Sequence, residues 1–260
     1  MTCPILRYHP AIIAQAAATV SHFAPNRFFL AVGTGEALNE YAPTGEWPEY
    51  DERQARLAEA IELIRAFWTG EEVTHDGPYY QTRKAKLFTP RAANISLYVS
   101  TMSPDSAMFA GQHDGLITTG GQEPETYRQI MKNFEAGAKG HGKDPSKMPR
   151  LIEMSAAYTD DTQIAIEYRK KYWAAASVPA LFDQKIYTPK MAERNGAAVG
   201  SETIQKKVCI SPNPDDHVRF ARQYIDLGFD HLIFHSAGPD QHGFIEGFGR
   251  DVLPRIRRNV

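Results

Sequence analysis

Short apolar runs, separated by longer segments of mixed polarity, follow one another along most of this chain. The run "RFFLAVG" has no polar–apolar alternation, which is typical of a strand covered on both faces. Four more apolar runs are predicted as strands, and a weaker run, "VCIS" at 208–211, is a sixth candidate. The five predicted strands cover residues 27–32, 95–101, 115–119, 150–158 and 231–236.

Helical patterns fill most of the segments between these strands. "PAIIAQAAATVSHFA" opens with Pro10, a residue favoured in a first helical turn. In "YDERQARLAEAIELIRAFWTG" the apolar residues that share one helical face are Leu57, Ile61, Ile64 and Phe67. Further helices are predicted over "SPDSAMFAGQ", "EPETYRQIMKNFEAGAKG" and "DDHVRFARQYIDLG", with "PDQHGFIEGFGRDVLPRIRR" as one final helix. Alternating strands and helices indicate a parallel sheet, either doubly wound or closed as a (β/α)8 barrel.

Two segments depart from this alternation. "VTHDGPYYQTRKAKLF" alternates and contains an Asp-Gly turn, so a hairpin insertion is predicted near 73–88. The segment 161–206 is mainly helical in pattern and ends with "SETIQKKV", so we predict a helical insertion there. Repeats and low-complexity segments are absent from the sequence, and we expect residues 1–260 to form one domain.

Composition narrows the class of protein. A hydrophobic content of 42% over 260 residues is enough to form a hydrophobic core. The net charge of −2 does not indicate a protein that binds nucleic acid. Two cysteines, Cys3 and Cys209, are too few for a disulfide framework and fit a reducing cytoplasm. The sequence has neither a long apolar membrane segment nor a signal pattern. We expect a cytoplasmic protein with neither nucleic acid nor membrane as a partner.

The stretch "FFLAVGTGEALNEY" delivers a carboxylate directly after a buried strand. Its apolar run ends in Gly33, Thr34 and Gly35, and Glu36 follows at once. An ordinary loop between a strand and a helix, with Glu36 in the first helical turn, produces the same pattern. The stretch alone therefore leaves an active-site corner and a structural turn both open.

Four motifs carry a family resemblance. "RYHPAIIAQAAAT", "GTGEALNE", "FWTGEEVTHDGPYY" and "LGFDHLIFHSAGPDQ" resemble the luciferase-like superfamily, and more narrowly its dehydrogenases that use coenzyme F420 and are related to glucose-6-phosphate dehydrogenase. The resemblance covers essentially the whole chain. It implies a (β/α)8 TIM barrel in which 27–32 is the fourth strand, so that the first three strands are lacking. We expect a start codon assigned too far downstream, and a 260-residue chain that is aggregation-prone and inactive by itself.

The resemblance also implies a function. It predicts an oxidoreductase that moves a hydride between an alcohol or sugar-type substrate and coenzyme F420, a deazaflavin. Glu36 is then the acid that protonates the ring nitrogen, with a pKa raised by burial. Thr34, Gly35 and Asn39 hold the ring edge, since glycine lets the backbone approach a flat ring closely. The alternatives are a monooxygenase that uses flavin mononucleotide (FMN) on the same barrel and a non-catalytic cofactor-binding paralogue.

A second candidate site lies in "LITTGGQEPETY". Thr119, Gly120 and Gly121 follow a strand and precede a helix, so backbone amides gather at a helix start. This geometry suits the phosphate of the deazaflavin tail, and the resemblance assigns the phosphate there. A plain glycine turn gives the same sequence.

The class of substrate is inferred from residues expected near the carboxyl ends of the barrel strands. His235 ends the last strand and either contacts substrate or is a structural histidine, and Lys185 is a possible match to a phosphate-binding lysine of the family. Where the family has a basic pair after "DQ" this chain has His242-Gly243, and Phe220 replaces a lysine on the preceding helix; both changes argue against glucose 6-phosphate. No residue spacing indicates a metal site. The family resemblance predicts a homodimer.

Overall fold

The computed structural model describes residues 3–173 and 188–258. Its main sheet has seven parallel strands. They are β1 (Cys3–Pro4), β2 (Phe29–Gly33), β5 (Ser96–Ser100), β6 (Gly115–Thr119), β7 (Arg150–Ala157), β8 (Val208–Ile210) and β9 (His231–Ser236). All five predicted strands are confirmed, and the weak candidate at 208–211 is β8. The predicted hairpin is also present, as the antiparallel pair β3 (Val73–Asp76) and β4 (Gln81–Ala85).

The strands follow the order β1-β2-β5-β6-β7, after which β7 pairs with two more strands. One edge of β7 pairs with β6 over Arg150–Glu153 and then with β8 over Ser155–Ala157. The other edge pairs with β9 along Leu151–Ala156. The prediction of an α/β fold with a parallel sheet is confirmed. Within residues 3–173 and 188–258 no pairing joins β1 to β9, so closure into a barrel stays a prediction.

Helices connect the strands. Those of the described residues are α1 (Pro10–Phe23), α2 (Ala37–Thr44), α3 (Tyr50–Phe67), α4 (Pro104–Gly111), α5 (Pro124–Gly140), α6 (Thr162–Tyr172), α7 (Pro189–Ala197), α8 (Ser201–Lys207), α9 (Pro214–Asp226), α10 (Gln241–Asp251) and α11 (Leu253–Arg258). The sequence predicted one final helix where the structure has α10 and α11. Pro254 has no N–H to continue the hydrogen-bond ladder of α10, so the chain turns at Val252 and starts again.

The larger core lies between the outer helices and one face of the sheet. The four residues predicted for one face of α3, Leu57, Ile61, Ile64 and Phe67, are all buried in it. Trp68, which follows α3, donates its indole N–H to the backbone oxygen of Ala14 at 3.1 Å and so ties α3 to α1. Leu97 and Leu116 supply the sheet side of the same core. This packing holds the strands rigidly and leaves their other face for the site.

The opposite face of the sheet carries a small apolar cluster and, beyond it, polar residues. The cluster is Ala31, Tyr98, Ile117 and Leu151, contributed by four neighbouring strands. Because side chains alternate along a strand, the residues two and four positions further on point to the same side. These residues, at the carboxyl ends of the strands, are Gly33, Thr119, Glu153, Ser155 and, by its pairing with Ser155, His235. We call this end of the sheet the mouth.

Candidate active site

The corner between β2 and α2 brings the predicted ring-binding residues together. β2 ends at Gly33, and Glu36 is the residue that precedes α2, with an extended backbone at φ −131° and ψ 137°. Its carboxylate does not cap the helix. It instead accepts a hydrogen bond of 3.0 Å from Nδ2 of Asn39, and both side chains remain exposed at the mouth. Glu36 is therefore an accessible acid whose orientation is set by its own helix.

The surroundings of Glu36 favour its protonated form. Crowding by protein atoms raises the pKa of Glu36 most strongly, although the carboxyl remains open on the mouth side. The hydrogen bond from Asn39 lowers the pKa, and the negative charge of Glu153 raises it. The net shift is upward, as an acid that donates a proton near neutral pH requires.

Gly35 is needed for a reason that the sequence did not reveal. Its φ is +82°, in the left-handed region that favours glycine, and a Cβ there would lie 2.8 Å from Cγ of Glu40. Glu40 is only 1% exposed and forms an ion pair with Arg7, Nε to Oε2, at 3.0 Å. Sequence reasoning missed Glu40 and Arg7, whose signal was a second acid one helical turn after Glu36. The pair anchors α2 to the segment that follows β1.

The backbone amides of the loop at Thr119–Gly121 donate hydrogen bonds to other parts of the protein. The amide of Gly120 donates to the backbone oxygen of Glu153 at 2.7 Å, and that of Gly121 to Tyr224 Oη at 3.3 Å. The next amide, of Gln122, donates to Tyr127 Oη at 3.1 Å. The amides that the sequence suggested as phosphate donors thus have protein acceptors. A phosphate would replace a tyrosine hydroxyl as the partner of the Gly121 and Gln122 amides, whereas the Gly120 amide is held by the backbone of β7.

The start of α4, a helix that the sequence predicted without singling out its first turn as a site, lies beside this loop. Ser103 caps α4 in a reciprocal arrangement with Ser106, and Thr101 Oγ1 also contacts Ser106 Oγ. Met102 joins the two loops, because its sulfur accepts from Thr119 Oγ1 at 3.4 Å. The signal was the hydroxyl-rich "STMSPDS" directly after a strand, with proline at the helix start.

His235 lies half-buried on β9 at the mouth. The ring of Trp173 meets it edge-on with a centroid distance of 4.3 Å. Burial lowers the pKa of His235, Glu153 raises it and Arg169 lowers it. The net shift of the pKa is downward, which favours the neutral form of the imidazole. Lys185, the other predicted substrate residue, lies outside the described residues.

Sequence reasoning also missed a charged group on β7 and α6. Arg169 on α6 is 7% exposed and donates from Nη1 to Ser155 Oγ at 3.1 Å. Its Nε is buried and has no hydrogen-bond partner among residues 3–173 and 188–258. Burial lowers the pKa of Arg169 to about 10, and the charge of Glu153 opposes that shift. The signal was Glu153 itself, a carboxylate inside the otherwise apolar run "LIEM".

Two further findings limit the kind of site. Within residues 3–173 and 188–258 there is no cluster of histidine, cysteine and carboxylate side chains that could hold a metal ion. In the same ranges, no helix combines the length and the apolar character that a membrane span requires.

Comparison with known proteins connects this geometry to a family. A family model described as luciferase-like monooxygenase matches residues 1–231. The F420-dependent glucose-6-phosphate dehydrogenase of Mycolicibacterium gilvum is 39% identical over 259 residues, covering 98% of this chain and 77% of that protein. The enzyme of the same name from Nocardia farcinica is 40% identical over 258 residues, covering 98% and 76%.

Solved structures give the same picture. An F420-dependent secondary alcohol dehydrogenase in complex with an F420–acetone adduct superposes with a TM-score of 0.93 at 35% identity, covering 99% of this chain and 78% of that one. The coenzyme F420-dependent tetrahydromethanopterin reductase from Methanopyrus kandleri superposes with a TM-score of 0.73 at 19% identity, covering 96% and 80%. At that identity the second match supports the fold alone.

Proposed function

The chain belongs to the luciferase-like monooxygenase family, and we propose that it is an oxidoreductase that transfers a hydride between an alcohol or sugar-type substrate and coenzyme F420. The relatives at 39–40% identity are F420-dependent dehydrogenases by name. The observation that carries the proposal is the position of the Glu36 carboxyl at the carboxyl end of β2, with Asn39 bound to it and with surroundings that raise its pKa.

The mouth fits a flat, polar-edged cofactor. Gly33 and Gly35 present backbone without side chains there, and Thr34 and Asn39 offer a hydroxyl and an amide to a ring edge. When bound, the deazaflavin supplies the carbon that accepts or returns the hydride. Glu36 holds the accompanying proton on its carboxyl, and Asn39 fixes the direction in which that proton points. The protein atoms that crowd the Glu36 carboxyl raise its pKa and so favour the protonated form that this role requires.

We place the cofactor's phosphate at the two adjacent loops after β5 and β6. Thr119, Gly120 and Gly121 form one side, and the capped start of α4 at Ser103 forms the other. The contact between Thr119 and Met102 supports this placement, because it brings the two loops within hydrogen-bonding distance. Helix starts favour anions through their amides and dipole.

The substrate is a neutral alcohol or sugar derivative in this proposal, and His235 contacts it. The side chain of His242 is 84% exposed and faces Glu246 at 3.7 Å, and Phe220 packs against Tyr224 with ring centroids 5.4 Å apart. Neither position supplies the fixed positive charge that a phosphate dianion requires. A role for Lys185 in binding remains part of the proposal.

The experiment that tests the function is cofactor capture followed by turnover. The protein is expressed together with any in-frame coding sequence upstream of Met1, and the expected result is that it binds F420 and reduces it with a secondary alcohol. Absorbance and mass of the copurifying cofactor separate this from the alternatives. Bound FMN favours a monooxygenase, and F420 binding without turnover favours a non-catalytic paralogue. Cytoplasmic location and a homodimer are also proposed, the dimer to be tested by light scattering.

A further inference from the structure

The segment that follows β1 passes directly beside the corner that carries Glu36. β1 pairs in parallel with the end of β2, with Pro4 opposite Gly33. Arg7 comes three residues after Pro4 and donates from Nε to Oε2 of Glu40 on α2 at 3.0 Å. The Glu40 carboxylate is buried, whereas the Arg7 side chain is partly exposed. An ion pair with one buried partner therefore joins the end of β1 to α2.

Glu40 supports the corner from its buried side. A Cβ on Gly35 would lie 2.8 Å from Cγ and 3.3 Å from Cδ of Glu40, so this side chain packs directly against the Gly35 backbone. The backbone oxygen of Glu36 accepts from the amides of Asn39 and Glu40, each at 3.0 Å. The same turn carries the hydrogen bond from Asn39 Nδ2 to the Glu36 carboxylate. The direction of the Glu36 carboxyl therefore depends on this turn and on the residues that hold it.

The hairpin β3–β4 holds the segment that carries Arg7. Tyr80, directly before β4, donates from Oη to the backbone oxygen of the fully buried Ile5 at 3.1 Å. Its own amide donates to Oε1 of Glu59 on α3 at 2.9 Å. The Tyr80 ring also meets the ring of His9 edge-on, with a centroid distance of 5.5 Å. The hairpin thus contacts the chain on both sides of Arg7, at Ile5 and at His9.

We propose that Arg7 and Glu40 are positioning residues that hold the carboxyl of Glu36 in the orientation that its role requires. The hairpin contributes through Tyr80, which braces the segment that carries Arg7. The inference rests on the proposed function, in which Glu36 is the acid of the reaction. Misplacement of a reacting group by about 1 Å can cost roughly 10²-fold in rate, so a support outside the reacting atoms can control turnover.

The first test needs no cofactor. The protein, expressed with any in-frame coding sequence upstream of Met1, is titrated while NMR follows the Glu36 carboxyl and the side-chain amide of Asn39. Because Asn39 donates to the Glu36 carboxylate, its amide signals should change as Glu36 loses its proton. We expect this coupled response to be lost in Arg7→Met, while Glu36 itself still titrates. Tyr80→Phe removes only the bracing hydroxyl and should weaken the response.

Turnover of cyclohexanol with F420 supplies the second readout. Arg7→Met is expected to lower kcat by about 10²-fold with a smaller change in KM for the alcohol, because the orientation of the acid is affected more than binding. Arg7→Lys keeps the charge without the planar guanidinium and should recover part of the rate. Lys139→Met is the control, since it removes an exposed ion pair with Glu135 at the end of α5 and should behave as the parent.

A double variant separates positioning from stability. Arg7→Met leaves the buried carboxylate of Glu40 without its cation, and Arg7→Met/Glu40→Gln removes that charge as well. We expect stability to recover in the double variant, whereas kcat and the response of Asn39 stay low, because the link between α2 and the segment after β1 is still missing. Recovery of all three together would show a role in stability alone and would overturn the inference.

The outcomes also separate this inference from the proposed function. A parent protein that neither binds nor reduces F420 overturns the proposed function, while the titration of Glu36 and Asn39 still tests the corner. A folded Arg7→Met with parental kcat, in which Asn39 follows Glu36 as in the parent, overturns the positioning role alone. If Arg7→Met does not fold, Arg7→Lys and Tyr80→Phe decide, and parental titrations and rates in both overturn the inference.

Discussion

Asn39 donates a hydrogen bond of 3.0 Å from Nδ2 to Oε2 of Glu36, three residues earlier, across the first turn of α2. The bond joins the two predicted functional side chains of the "GTGEALNE" corner and stabilises the ionised form of Glu36. Burial acts in the opposite direction and prevails. The balance between these two effects determines the pH at which Glu36 loses its proton.

Asn39→Ala should raise the pKa of Glu36. Removing the amide takes away the hydrogen bond that lowers the pKa of Glu36, so the pKa rises further. Glu36 carries its proton only below that pKa, so the alkaline fall in the rate of F420 reduction should move to higher pH. The pH–rate profile measures it, with Gln163→Ala on the exposed side of α6 as control. A shift to lower pH would contradict the assignment of the acid to Glu36.

Gly35→Ala should destabilise the protein. The added Cβ would lie 2.8 Å from Cγ of the buried Glu40, on a backbone with φ of +82°. We expect a loss of about 1–3 kcal/mol in the free energy of unfolding, measured by denaturant titration. Gly140→Ala is the matched control, since its Cβ meets nothing within 4 Å. Equal stabilities of the two variants would rule out the described packing of Gly35 on Glu40.

Arg7→Met should make stability depend more strongly on pH. The pKa of Glu40 is raised in the folded protein by burial, and Arg7 opposes the rise. Without Arg7 the folded pKa rises further above the unfolded value, so the cost of the variant is small in acid and grows as pH increases through that range. Unfolding titrations at pH 5 and pH 8 measure the difference. The double variant Arg7→Met/Glu40→Gln should recover most of the loss, and a pH-independent cost would argue against a charged Glu40.

Glucose 6-phosphate should be a poor substrate. His242 is exposed and Phe220 packs against Tyr224, so neither supplies a buried positive charge for a phosphate dianion. We expect neutral secondary alcohols or unphosphorylated sugars to give higher kcat/KM, and inorganic phosphate not to compete with them. Saturation with glucose 6-phosphate that is stronger than with its unphosphorylated sugar would overturn this prediction.

The strands and most helices were readable from sequence because their apolar periodicity is local. The exception at the end of the chain was a break at Val252, which depends on the missing N–H of Pro254. Only part of the candidate site could be predicted from the sequence. Glu36 and Asn39 lie within one helical turn, whereas Arg169 and Ser155 meet 14 residues apart through the packing of α6 on β7. Contacts of that kind depend on how elements pack, which local pattern does not encode.

The amides of Gly120 and Gly121 show a similar limit. A glycine pair before a helix predicts free donors, but Tyr224, 103 residues later in sequence, provides an acceptor for one of them. A hydroxyl that arrives from another helix cannot be foreseen from the loop itself. The hydroxyls around Ser103, by contrast, were visible in "STMSPDS" and were overlooked.

The measurement that tests the account most directly is F420 binding and reduction by Glu36→Gln. The variant keeps the shape and an oxygen that can accept from Asn39, but it replaces the ionisable carboxyl of Glu36 with an amide. We expect nearly parental affinity for F420 and reduction slowed by roughly 10²–10⁴-fold, with Glu46→Gln, an exposed control, unchanged. Turnover by Glu36→Gln at the parental rate would contradict the assignment of Glu36 as the acid of an F420-dependent oxidoreductase.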